Sequence, residues 1–136
     1  MLATVTVRDL SVREHMTANP VVFKPELEVY AAIRDLLTHK VTGAPVLDRK
    51  GRLVGLFSEL DCMKVAVSAA YHEDMPGTVA EFMTTNFKTV DGDLSIVEAA
   101  EMFTESPQRH FPVLDEGHLV GVISRVDILK ALLSLW

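Results

Sequence analysis

The sequence predicts an α/β chain of the α+β kind, in which one strand, helix, strand, strand, helix unit is written twice. Three observations carry this. A block of residues recurs at nearly constant spacing along most of the chain. Each copy holds one stretch with apolar residues at helical spacing. Two short apolar runs follow that stretch in each copy, joined by a turn that carries a glycine.

The repeat sets every boundary and is read first. Val12-Arg-Glu-His-Met16-Thr17-Ala-Asn19 returns 67 residues later as Val79-Ala-Glu-Phe-Met83-Thr84-Thr-Asn86. Leu27, Ala32 and Pro45-Val46-Leu47-Asp48 keep that spacing to Leu94, Ala99 and Pro112-Val113-Leu114-Asp115. The turn Asp48-Arg-Lys-Gly51 then shortens by one residue to Asp115-Glu-Gly117, and the spacing becomes 66. In the new register Leu53-Val54-Gly55, Ser58, Asp61 and Lys64 return as Leu119-Val120-Gly121, Ser124, Asp127 and Lys130. One gap, placed at a turn with register kept on both sides, marks a duplication. The expected division is copy 1 at 12–71, a linker at 72–78 around Pro76-Gly77, and copy 2 at 79–136. Units of this size are marginal alone, so one continuous core is expected to join them.

The elements follow in order. Leu27, Val29, Ala32, Ile33, Leu36 and Leu37 recur as one helix face, and Leu94, Ile96, Ala99, Ala100 and Phe103 as its counterpart. Glu26 and Asp93 suit the positive end of those helices. Ala44 to Leu47 and Phe111 to Leu114 read as strands, with Pro45 and Pro112 near their starts, where no ladder donor is needed. Leu53 to Phe57 and Leu119 to Ile123 read as their hairpin partners across Gly51 or Gly117. Ser58 and Ser124 open closing helices that run towards Ala70 and Leu135.

Composition excludes several functions. Of 136 residues, 49% are hydrophobic and 24% charged, which suits a globular chain and not a disordered one. The net charge of −6 repels a phosphate backbone, so nucleic-acid binding is not expected. No apolar run is long enough for a membrane span, and the N-terminal residues lack a signal-peptide pattern. Cys62, the single cysteine, excludes an intramolecular disulfide and a cysteine zinc cage. The expected compartment is the cytoplasm.

Gly55-Leu-Phe-Ser58-Glu-Leu-Asp61 and Gly121-Val-Ile-Ser124-Arg-Val-Asp127 are the motifs with chemistry in them. Ser-x-x-Asp at a helix start is first of all a capping box. The same geometry serves a ligand: free N–H groups and the dipole suit a phosphate, and the carboxylate suits the two hydroxyls of a ribose. The two readings are compatible, and the motif does not choose between them. His72-Glu73-Asp74 reads as a solvated linker, since three adjacent residues do not converge on one ion. His15, His39 and His118 follow no ligand spacing, and Cys62 reads as core. No Ser-His-Asp set, P-loop or carboxylate pair emerges, so the chain is not expected to be an enzyme.

Met16-Thr17, Pro45-Val46-Leu47-Asp48 and Gly55-x-x-Ser58-x-x-Asp61, with their second-copy counterparts, resemble the cystathionine β-synthase (CBS) domain. Two copies in this order resemble a CBS pair, also called a Bateman module, over about residues 12–136. The resemblance implies two βαββα units packed by pseudo-twofold symmetry, with two clefts that bind adenosine-containing ligands such as AMP, ADP, ATP or S-adenosylmethionine. Carried over residue by residue, one cleft would use Ser58 and Asp61 with Thr89, Arg109, His110 and Phe111. The other would use Ser124, Arg125 and Asp127 with Val22, Thr42, Gly43 and Ala44. The first ranks higher for the two cations of Arg109 and His110, although Glu59 within its motif would repel a phosphate. Arg109 and His110 read equally well as solvated residues after Pro107, and Phe111 as core. The expected function is a stand-alone regulatory module that binds an adenine nucleotide. The alternative is a ligand-free dimerisation or scaffold module acting on a separate effector protein. Its homodimer would form through apolar positions of the closing helices, such as Leu132, Leu133, Leu135 and Trp136.

Overall fold

The computed structural model describes residues 5–71 and 77–135. Residues 72–76 of the expected linker, with His72-Glu73-Asp74, lie outside the described residues, as does Trp136. After a 3₁₀ turn at Val7–Asp9, copy 1 runs α1 Val12–His15, β1 Thr17–Ala18, α2 Val29–His39, β2 Gly43–Leu47, β3 Leu53–Ser58 and α3 Glu59–Tyr71. Copy 2 runs α4 Val79–Phe82, β4 Val90–Asp91, α5 Ile96–Glu105, β5 His110–Asp115, β6 His118–Ser124 and α6 Arg125–Leu133.

Two compact units result, Met1–Asn19 with Lys88–Trp136, and Pro20–Phe87. Each is one copy's helices and hairpin plus the leading Met-Thr segment of the other copy. In the first, β1 pairs antiparallel with β6, placing Thr17 opposite Val122 and Ala18 opposite Gly121. β6 pairs antiparallel with β5, and β5 parallel with β4. The second unit repeats this in reduced form. β2 and β3 form its hairpin. Single bridges, Leu56 to Thr84 and Phe23 to Val46, stand where the first unit has β1 and β4. The exchange is fastened by equivalent backbone bonds: Val12 N–H to Leu94 C=O (2.8 Å) in one unit and Val79 N–H to Leu27 C=O (2.8 Å) in the other.

Most of the buried apolar residues fall in two clusters, one in each unit; Leu56 and Val122 are buried outside both. One holds Val12, Val90, Ile96, Ala99, Phe103, Phe111, Val113, Ile123 and Ala131. The other holds Phe23, Val29, Ala32, Leu36, Ala44, Val46, Phe57, Val65 and Val79. These sets correspond position for position through the repeat. Val12 and Val79 are the exchanged members, so each leading segment closes the core of the other copy's unit.

Several boundaries differ from expectation. α2 and α5 begin at Val29 and Ile96, so Glu26 and Asp93 lie before the helices. At α5 the cap is Ser95, which accepts from Glu98 N–H (3.1 Å). At α2 the equivalent residue is Glu28, with no side-chain cap bond. The strands β2 and β5 start earlier than expected, so Pro45 and Pro112 are their third residues. The one-residue gap is a change of turn. Glu116 (φ 51°) and Gly117 (φ 81°) make a two-residue hairpin turn that needs two left-handed residues. The longer turn of copy 1 needs only Gly51 (φ 79°) there, and the Asp48 carboxylate caps it by accepting from the N–H groups of Lys50 and Arg52 (2.9 Å each). Those bonds hold the Asp48 carboxyl below its usual range, the Arg52 backbone bond first among them.

Candidate functional site

Both Ser-x-x-Asp motifs sit where a hairpin strand passes into a closing helix. Beside each, the fold places the pre-strand segment of the same copy. Gly43 pairs with Ser58 and Ala44 with Phe57, and Glu59 N–H donates to Thr42 C=O (2.9 Å). In the other unit His110 pairs with Ser124 and Phe111 with Ile123, and Arg125 N–H donates to Arg109 C=O (3.3 Å). The unit that holds Thr89, Arg109, His110 and Phe111 therefore also holds Ser124, Arg125 and Asp127. Val22, Thr42, Gly43 and Ala44 share the unit of Ser58 and Asp61.

In the Ser124 unit the capping box forms in both directions. Asp127 N–H donates to Ser124 Oγ (3.1 Å), and Ser124 N–H donates to the Asp127 carboxylate (3.0 Å). Ser124 is thus an acceptor within the box, and its hydroxyl proton is not used by it. Asp127 is half-buried, and Thr17 of the exchanged segment reaches it with a long bond of 3.4 Å. Arg109 and Arg125 are exposed. Arg125 is oriented by donating to Ser106 C=O (3.2 Å) and lies over the Phe103 ring at 5.9 Å.

Two residues expected to meet a ligand, Phe111 and His110, are buried. Phe111 is fully buried with its ring centroid 4.3 Å from that of Phe103, so its side chain packs in the core. His110 keeps 4% of its surface. Ala44 is likewise buried, while Val22 and Thr42 are exposed. Cys62 is half-buried and not fully in the core. Burial, then Asp61 and Glu59, push its thiol pKa up, which leaves it a poor nucleophile. The sequence reading passed over Lys88 and Gln108. Gln108 accepts from Lys88 N–H (2.7 Å) and donates to Lys88 C=O (3.1 Å), which fixes the backbone of the exposed Lys88, next to the half-buried Thr89, against the segment that carries Arg109. Only the place of Lys88 next to Thr89 pointed that way.

The duplicated fold and its paired motifs match one family. A family model for the CBS domain covers residues 5–68 and again 79–134. The chain belongs to the CBS domain family. As a tandem CBS pair it is similar to CBSX2 of Arabidopsis thaliana. The crystal structure of CBSX2 in complex with AMP matches it with a TM-score of 0.82 and 30% identity, over 93% of this chain and 98% of that one. An A-adding tRNA nucleotidyltransferase from Aquifex aeolicus is 34% identical over 122 residues, which are 90% of this chain and 14% of that protein. An uncharacterized 17.7 kDa protein from Acidianus ambivalens is 29% identical over 120 residues, which are 88% of this chain and 71% of that one. The CBS pair thus corresponds to most of one relative and to a small part of another. Among the described residues, no helix is long and apolar enough to cross a membrane, and no cluster of His, Cys, Asp or Glu is placed to hold a metal ion.

Proposed function

We propose that this CBS pair is a regulatory module that binds an adenine nucleotide at the Ser124 motif. The Ser124 hydroxyl and the first N–H groups of α6 take the phosphate, with Arg109 and Arg125 supplying positive charge. Asp127 accepts the ribose hydroxyls. The observation that carries this reading is the half-buried Asp127 in the same unit as both exposed arginines. The AMP complex of CBSX2 supports the ligand class. The Ser124 motif is proposed ahead of the Ser58 motif, against the ranking expected from sequence, because Arg109 lies in the unit of Asp127. A nucleotide that prefers one arrangement of the chain shifts it towards that arrangement, and an effector protein or adjoining domain reads the shift. AMP, ADP, ATP and S-adenosylmethionine are the arms of a thermal-shift titration. AMP is expected to raise the melting temperature with concentration, by the equivalent of about 2.7 kcal/mol at a hundredfold excess over Kd. Arg109→Ala is expected to shrink that rise. A flat response to all four ligands would remove the reading.

One observation favours a second role, dimerisation. Leu60, Met63, Val67 and Tyr71 are exposed along one face of α3, and Val126, Leu129 and Leu133 along the equivalent face of α6. Leu132 is also exposed, whereas Leu135 is half-buried. The α3 face forms a shallow groove of about 480 Å³ with Lys64 and Ser68 on its border. Helices apolar on an outer as well as an inner face are covered in the working protein. A homodimer is expected by light scattering, and Met63→Glu with Leu129→Glu is expected to give monomers. A monomeric parent protein, or a dimer indifferent to both charges, would exclude this role.

A further inference from the structure

The two Ser-x-x-Asp motifs match in sequence and differ in bonding. The Asp61 side chain is fully buried. Its Oδ2 accepts from Ser58 N–H (2.9 Å) and from the Ser58 hydroxyl (3.1 Å). Its Oδ1 accepts from the Thr84 hydroxyl (3.0 Å) and from Lys64 Nζ (3.3 Å). A carboxylate offers about four acceptor positions, and four donors occupy them. The Ser58 hydroxyl has directed its proton at Asp61, so it has none to give a phosphate. Asp127 differs on each count. It is half-buried, its bond from Thr17 is 3.4 Å, and the bonds from Thr17 and from Ser124 N–H both fall on Oδ2. Lys130, the counterpart of Lys64, forms no ion pair with it among the described residues. Glu59 stands in the buried motif where Arg125 stands in the open one.

We infer that the chain has one nucleotide site and not two. Ser124 to Asp127 is the open copy, and Ser58 to Asp61 is a structural latch that holds the exchanged Thr84 against the sheet of copy 1. A ribose at Asp61 would have to strip donors from a buried carboxylate and leave them unpaired. Thr84 would then lose a hold that adds to its two backbone bonds with Leu56 (2.8 and 2.9 Å). Thr17 is held to Asp127 more loosely, so a ligand displaces less there. The ligand part of the inference rests on the nucleotide site proposed above; the latch part does not.

The test pairs calorimetric AMP titration with thermal melting for the full chain, Asp61→Asn, Asp127→Asn and Thr84→Val. The parent chain is expected to bind one AMP per chain. Asp127→Asn is expected to weaken AMP at least about tenfold and to melt near the parent. Asp61→Asn is expected to melt several degrees lower without ligand, with AMP affinity per folded chain within about twofold of the parent. Thr84→Val, the milder change, keeps the test open if Asp61→Asn does not fold, and is expected to lower melting and spare AMP affinity in the same way. Two AMP per chain would overturn the inference. So would loss of AMP affinity in Thr84→Val or Asp61→Asn with melting unchanged. Absence of AMP binding throughout would defeat the nucleotide reading alone. The latch would then stand or fall on melting, and equal melting of Asp61→Asn and Asp127→Asn would overturn it.

Discussion

Phe111→Ala is expected to lose about 3–5 kcal/mol of folding stability, which lowers the melting temperature by more than about 10 °C. Phe111 is fully buried, touches the Phe103 ring and sits in the β strand opposite Ile123. The repeat explains why nothing else can fill the space. Its counterpart in copy 1 is Ala44, and that of Phe103 is Leu36. Copy 1 balances those smaller residues with Phe23 and Phe57, whose rings meet edge-on at 6.1 Å. Copy 2 has only Val90 and Ile123 at those places. Both cores thus hold two phenylalanines, on different elements. With Phe111 truncated, neither Val90 nor Ile123 has the reach to close the cavity. Urea denaturation with an unchanged m-value would show the loss as stability alone. The opposite outcome, parent-like stability with AMP binding abolished, would place the ring on a ligand and not in the core.

Much of that core was legible in sequence. Ala32 and Ala99, Val46 and Val113, and the helix face through Val29 and Leu36 are buried as their spacing requires. The hairpins and closing helices fall where the glycine turns and serines place them. The exchange of leading segments was not legible. A two-residue strand such as Thr17–Ala18 has no periodicity to show which partner it joins, and Thr17 meets Asp127 across 110 residues of chain. The copy that supplies Val12 to a core cannot be read from Val12, because Val79 holds the equivalent place in the repeat. The inequality of Asp61 and Asp127 was hidden for a related reason. It depends on whether a serine hydroxyl donates or accepts, and on the reach of Lys64 and Thr84, which the repeat leaves unspecified. The sequence likewise does not show that Arg109 shares a unit with Asp127.

The exchange makes the two glycines that precede the motifs unequal, and Gly121→Ala is expected to be the more damaging substitution. A Cβ at Gly121 would lie 2.6 Å from Met16 Sδ and 2.7 Å from the Thr17 carbonyl oxygen. A Cβ at Gly55 would lie 2.4 Å from Met83 Sδ and 2.9 Å from Met83 Cγ, and its three nearest atoms are all side chain. Methionine is flexible and can swing aside, whereas the Thr17 carbonyl belongs to a strand paired with β6 through Thr17 and Ala18. Gly121→Ala therefore lifts β1 from the sheet and removes the Thr17 bond to Asp127, at a cost of about 2–3 kcal/mol. Gly55→Ala is expected to cost less. Shortening the methionine separates the two cases: Met83→Ala is expected to relieve most of the overpacking in Gly55→Ala, measured as a double-mutant cycle by urea denaturation. Met16→Ala is expected to relieve little in Gly121→Ala, because the carbonyl stays where it is. Full relief by Met16→Ala, or equal losses at the two glycines, would mean that β1 gives way without cost and that the leading segment does not hold its unit together.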